Sequence, residues 1–247
     1  MTSEQANPPK PVRTYSKNHN LVEERRQHIM DCGLALFLKH GYHGTSIRQI
    51  SEATGLTAGA LYRYIGSKED ILHLLAHRRA VSTRELRQQC QELQGTSSTR
   101  LLAACIRRYI YLSDRDRDII LFFNREVSNM TSDDRRGVLG SALSVSRFFE
   151  QILLQGIEDG KFRTDHPFSL AHDIFMLGQT WALRRWLLGR YFTMEEYTEI
   201  HLDGILRQLG VPPEQYPRLQ TAQSSGTGAG TGSSVAPGHN RVSTEKQ

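Results

Sequence analysis

The chain has 247 residues, a hydrophobic fraction of 38% and a formal net charge of +5. That apolar content is enough for a buried core and excludes a wholly disordered chain, while no run approaches the roughly 18 continuous apolar residues that cross a bilayer. The polar first twenty residues contain no apolar signal region, so the expectation is a cytoplasmic protein with no membrane partner. Cys32, Cys90 and Cys105 are odd in number and form no CxxC pair, which predicts inert free thiols, no disulfide framework and no metal site.

Residues 1–20 combine Pro8, Pro9 and Pro11 with Lys10, Arg13 and Lys17 and show no apolar period. They read as a disordered basic arm. Beyond it, apolar residues recur at intervals of three and four, the spacing of amphipathic helices. A first helix is predicted over 21–40, with Ile29, Gly33, Leu36 and Phe37 on one face and Gly41 as its stop. Ser46 or Thr45 caps a short helix carrying Ile47, Ile50 and Ala53, which Gly55 ends. Thr57 caps the next, with Leu61, Tyr64 and Ile65 in its pattern. Ser67 followed by Asp70 is a variant of the capping box, and it opens a longer helix through Ile71, Leu72, Leu74 and Leu75 toward Leu93.

The pattern breaks over 95–99 and a second helical block follows. Leu101, Leu102, Cys105, Ile106, Tyr109 and Ile110 define one helix, residues 119–127 another, and 133–159 a long third that Gly160 closes. Between the first two, Asp114 to Asp118 alternate in sign and read as a solvated helix start. The helix predicted over 168–188 is apolar on two faces: Leu170, Ile174, Leu177, Trp181 and Leu188 form one stripe, Ala171, Phe175, Gly178, Ala182 and Trp186 the other. Two apolar faces need two covers. Together with the helix over 194–209, which offers Ile205, this predicts a four-helix homodimer interface built on Phe175, Gly178, Ala182, Trp186 and Ile205. Residues 211–247 include SSGTGAGTGSS, with neither a preceding strand nor a following helix, and read as a flexible tail.

Location makes the charge informative. Residues 10–80 hold 11 Lys and Arg against 6 Asp and Glu, and the rest of the chain is balanced. Within that basic third, TSIRQISEATGLTAGALYRYIGSKEDIL has the parts of a helix-turn-helix: inner packing from Ile47, Ile50, Ala53, Leu56 and Leu61, a turn at Gly55, and an outward second helix. Ala58, Gly59 and Ala60 are small enough for close approach to a duplex. Tyr62 and Tyr64 offer hydroxyls to phosphate, and Arg63 can fork onto a guanine edge.

The run from Arg25 through Leu75 resembles the DNA-binding domain of the tetracycline-repressor (TetR) family. The residues that carry the likeness are Phe37 and Gly41 in FLKHGY, Thr45 with Ile47, Ile50 and Ala53, and the block Thr57, Gly59, Leu61, Tyr62, Tyr64 and Lys68. Ile65 with Gly66 departs from the phenylalanine and polar residue usual there. The resemblance implies that Arg48 and the residues from Thr57 to Tyr64, among them Ala58, Gly59 and Arg63, face the groove, with Thr45, Tyr62 and Lys68 on phosphate; Ser46 joins the expected DNA-binding set. It implies an all-α chain: an N-terminal three-helix helix-turn-helix domain over 21–75, and a C-terminal helical ligand-binding and dimerisation domain over 76–210.

The segment GQTWALRRWLLGRYFTMEEYTEIHLDGIL is similar to regulators of fatty-acid and steroid degradation that sense acyl-CoA thioesters. That likeness implies an acyl-CoA or hydrophobic acid as inducer. Tyr109, Phe122, Phe148 and Trp181 are the expected apolar lining, and Arg125 and Arg184 the expected counter-charges. The expectation is thus a ligand-responsive, homodimeric repressor on a palindromic double-stranded operator, with no cofactor. An enzyme is not expected, because there is no GxSxG, HExxH or P-loop pattern and His73 with His77 lack a third ligand. The alternative is a helical protein-interaction module without sequence-specific DNA binding, which leaves the basic helix-turn-helix unexplained.

Overall fold

The protein is described by a computed structural model covering residues 19–93 and 95–216. Nearly all of the expected arm, and the expected tail from 217 on, lie outside those residues. Helix α1 (His19–His40) buries Val22, Ile29, Met30 and Phe37, and Gly41 ends it with φ 77°, its N–H donating to the Phe37 carbonyl at 2.8 Å. Helix α2 (Ile47–Thr54) opens with a full capping box: Ser46 Oγ accepts from the Gln49 N–H while Gln49 Oε1 accepts from the Ser46 N–H at 2.8 Å. Gly55, at φ 67°, turns the chain into α3 (Ala58–Leu61), which Thr57 caps. The left-handed φ is what requires glycine at this turn.

Helix α4 (Glu69–Gln91) starts differently from expectation. Its N-cap is Lys68 without a side-chain bond, and Asp70 accepts instead from the Gly66 N–H at 2.6 Å. The expected Ser67–Asp70 box is therefore replaced by a loop-closing bond from one residue earlier. Helices α5 (Ser98–Arg115), α6 (Arg117–Glu126), α7 (Ser132–Glu158), α8 (Pro167–Leu188) and α9 (Met194–Gln208) follow, and no strand occurs among the described residues.

Two apolar cores divide these helices. The second gathers Leu86, Ile106, Tyr109, Phe149, Leu153, Ile174, Trp181 and Leu206 from α4, α5, α7, α8 and α9. The first joins α1 to α4 through Ile29, Phe37, Ile50, Leu61, Ile65 and Ile71, and it also takes Ile119, Phe122 and Phe123 from α6. Phe122 is 1% exposed and lies 5.5 Å from the ring of Phe37. So α6, which follows α5 of the bundle, spends its aromatic face on the N-terminal core. Arg125, also on α6, donates to the Leu38 carbonyl of α1 at 2.9 Å.

The α5–α6 junction overturns the reading of residues 114–118 as solvated at Asp116, while Arg115 and Asp118 are exposed. The Asp116 side chain is fully buried, accepting from Ser82 Oγ at 2.5 Å and from Arg79 at 3.3 Å, with Arg115 at 3.4 Å and Arg78 at 3.8 Å. A carboxylate survives burial only with partners of this kind. The thiol reading is corrected as well: Cys90 of α4 and Cys105 of α5 are bonded to each other inside the second core. Cys32 alone is free among the described residues, half-buried against α2, and burial raises its thiol pKa.

Phe122→Ala removes a side chain that joins α6 to the first core, and cavity creation of this kind costs about 3–5 kcal/mol. Chemical denaturation is expected to show that loss. Duplex binding should fall with it, since the excavated core is the one that supports α2 and α3.

Candidate nucleic-acid interface and effector domain

Helices α2 and α3 bury Ile50, Ser51 and Leu61 and leave their opposite side open. Ser51 Oγ donates to the Leu56 carbonyl, which fixes the turn between them. Thr57, Ala58, Gly59, Tyr62 and Arg63 are exposed, with Tyr62 at 47%. A Cβ added at Gly59 would meet nothing within 4 Å, so the fold itself does not demand glycine there. Among the described residues no acid lies within ion-pair distance of Arg63, whereas Arg48 is exposed but bound to Glu52 at 3.0 Å. Ser46 is exposed and engaged in the cap, and Tyr64 is half-buried against the first core, its carbonyl accepting from Arg26 at 3.1 Å.

Two of the expected phosphate ligands are turned inward. Thr45 is 2% exposed and its hydroxyl donates to the Gly41 carbonyl at 2.9 Å, which assigns it to the turn after α1 rather than to phosphate. Lys68 Nζ donates to the carbonyls of Tyr42 at 2.7 Å and Thr45 at 2.9 Å, and sits 4.3 Å from the Tyr42 ring. An ammonium has three donors, so at most one remains for DNA. Tyr42, absent from the expected set, completes this clasp by donating its hydroxyl to Glu69 at 3.0 Å; burial first, then that bond, raises its pKa. The lysine thus clamps the loop that presents α2 to the outside.

The expected ligand residues separate into three places. Tyr109 and Phe148 meet across Phe149 in the second core, where Tyr109 donates to the Phe175 carbonyl at 2.9 Å. Trp181 is buried, donates to Asp114 at 2.9 Å, and borders an open cleft of about 800 Å³ at the α8–α9 turn with Arg185, Trp186 and Tyr191. Phe122 and Arg125 belong to the junction with α1 and leave the pocket set, because their face of α6 is claimed by the first core. Arg184 is exposed on α8.

The expected dimer residues also need correction. A Cβ at Gly178 would come within 2.5 Å of both Ser113 Oγ and Tyr109 Cε1, so Gly178 faces α5 of its own chain. Phe175 and Ala182 at 8% and Ile205 at 7% exposure are likewise internal, leaving Trp186, at 69%, as the exposed member. The side of α8 without a cover runs instead through Met176, Thr180, Leu183 and Leu187, with Ile200 and Gly204 of α9 exposed beside it. A helix apolar nearly all round does not reveal which stripe its own bundle takes.

Two short helices locked at a glycine turn, with a small-residue and arginine surface facing outward and a helical bundle behind, define a helix-turn-helix DNA-binding protein. Comparison with known proteins agrees: residues 29–75 match the bacterial regulatory proteins of the tetR family, and residues 95–188 the tetracyclin repressor-like C-terminal domain. The chain belongs to the tetR family. It is a DNA-binding transcriptional regulator and not an enzyme. It is 28% identical over 189 residues to the HTH-type transcriptional regulator HbdR of Aromatoleum sp. (strain CIB), covering 76% of this chain and 82% of that protein. Identity to the HTH-type transcriptional repressor KstR2 of Rhodococcus jostii (strain RHA1) is 26%, over 73% and 91% of the two chains. The crystal structure of AibR in complex with isovaleryl coenzyme A and operator DNA shares the fold with a TM-score of 0.61 at 22% identity, over 75% of this chain and 97% of that one.

Arg63→Ala is expected to relax preference at one base-pair position by about 1–3 kcal/mol, read by comparing affinities across single-base variants of a selected duplex. A loss equal for all sequences reassigns Arg63 to phosphate. Thr45→Val should cost about 1 kcal/mol of stability through its lost hydrogen bond and leave the salt dependence of binding unchanged.

Proposed function

We propose that this regulator is a cytoplasmic homodimeric repressor that a hydrophobic acid or its CoA thioester releases from a palindromic operator. The observation that carries the reading is the pairing of an outward helix-turn-helix with an uncovered apolar line on α8 and α9. A recognition helix of four residues reaches few bases. Two of them, held roughly 34–36 Å apart by a dimer, read successive turns of one groove. The line Met176, Thr180, Leu183 and Leu187 follows helical spacing, and Gly204 lets a partner helix approach closely, since a Cβ there would meet nothing within 4 Å. In this reading, Ser46, Arg48, Thr57, Ala58, Gly59, Tyr62 and Arg63 form the DNA surface.

Repression and the acyl-type effector are supported by the relatives: KstR2 is named a repressor, and AibR is described with isovaleryl coenzyme A and operator DNA. The cavity beside Tyr109 in the bundle measures about 10 Å³, against the ~300–1,000 Å³ of a ligand pocket. An effector seated there has to part α4 from α5 and α7, and such a ligand favours a different arrangement of the DNA heads, as induction requires.

Selection of bound duplexes from random DNA should recover palindromes. If about 6–10 phosphates are neutralised by the dimer, affinity should fall about a thousandfold or more between ~50 and ~200 mM salt. Leu183→Glu should sediment as a monomer and lose most operator affinity; a dimer of unchanged mass refutes the placement of the interface.

A further inference from the structure

The small cavity of the bundle lies between α4, α5 and α7, and its lining joins apolar Leu86, Leu112 and Val145 to Tyr109, Ser82 and Arg79. Arg79 belongs as well to the ion network around the buried Asp116. In that network Arg78 pairs with Asp31 at 3.5 Å, Arg108 and Arg115 share Glu85 at 2.5 and 2.9 Å, and Arg78, Arg79 and Arg115 all converge on Asp116. Four guanidiniums thus face three carboxylates. Arg79 is the arginine whose ion pairing, among the described residues, rests on the shared Asp116 alone. Were Arg79 to leave, Asp116 would keep Ser82, Arg115 and Arg78, so its charge would not be stranded.

A second observation points to the same interior. The Ser113 hydroxyl is fully buried with no hydrogen-bond partner, and it approaches the same point over Gly178 as the Tyr109 ring. Gln179 reaches the Tyr109 hydroxyl at 3.4 Å. A buried hydroxyl left unpaired is costly, and a ligand oxygen or polar hydrogen beside Tyr109 would relieve it.

We propose that Arg79 is the seat for a single anionic oxygen group of the effector, a carboxylate or a phosphate, which takes the guanidinium from Asp116. The inference rests on the acyl-type reading above and names the residue through which that ligand acts. Its apolar part lies along Leu86, Leu112 and Val145. Transfer of Arg79 loosens the bond between α4 and the α5–α6 junction. Helix α4 leads to α3, and α6 is packed into the N-terminal core, so the event at the seat is felt at the reading surface.

The test is calorimetric titration of the full-length protein with sodium octanoate, octanoyl-CoA and 1-octanol, which separate carboxylate, phosphate-bearing and uncharged heads on one chain length. In the wild type a charged probe should bind more tightly than octanol. Arg79→Gln should weaken that charged probe about tenfold or more, the loss of one charge-assisted hydrogen bond, while octanol is unaffected. Asp116→Asn removes the competitor and should tighten the charged probe and lower the concentration that releases selected duplex, a gain that misfolding cannot produce. Undiminished binding to Arg79→Gln, or weaker binding to Asp116→Asn, overturns the seat and leaves the acyl-type reading standing. A wild type that binds neither octanoate nor octanoyl-CoA overturns both.

Discussion

Helix α6 faces two ways, and the relation between the halves of the molecule depends on it. Ile119, Phe122 and Phe123 are spent on the core of α1 to α4, while Asp116, at the start of the same helix, is held by side chains of α4 and α5. Sliding the halves apart would expose the aromatic face on one side and strip partners from a buried carboxylate on the other. Both are expensive, so displacement of one half is passed to the other as a body rather than absorbed in a hinge. Helix α4 supplies the second strut, with Leu72 and Leu75 in the first core and Leu86 and Cys90 in the second.

Most of the element order was legible in the sequence because local chemistry determines it. Ser46, Thr57, and the glycines 41 and 55 are starts and stops whose hydrogen bonds or φ angles are satisfied within a few residues. What escaped depends on contacts distant in the chain. Periodicity showed that Phe122 lies on an apolar face but not that the face meets Phe37, 85 positions earlier by residue number. The alternating charges of 114–118 look solvated until arginines from α4 arrive to bury one of them. Cys90 and Cys105 lie on different helices, and spacing alone carried no sign of their pairing. On α8 the two stripes were visible, but the bundle takes both, Gly178 fitting against Tyr109, and the side left open is a third that runs through Met176 and Leu187.

The open side of α2 and α3 was legible for a related reason: its exposed residues are those that the inner packing of the two helices leaves over. Thr45 and Lys68 show the limit of that logic. Each has a polar group suited to phosphate, yet nearby carbonyls at Gly41, Tyr42 and Thr45 claim it first. A polar side chain beside a turn serves the turn before it serves a partner, and residue type does not say which demand is met.

The exposed run from Thr57 to Arg63 has a consequence for how such a protein changes over time. Ala58, Gly59, Tyr62 and Arg63 contribute nothing to either core, and the glycine is not required by steric contact or by its φ angle. Substitutions there fall in the class of surface changes that alter stability by roughly half a kcal/mol or less. If this run reads bases, as proposed above, descendants of this gene can exchange the letters they recognise almost without folding constraint, and the same scaffold can change its targets faster than its cores change.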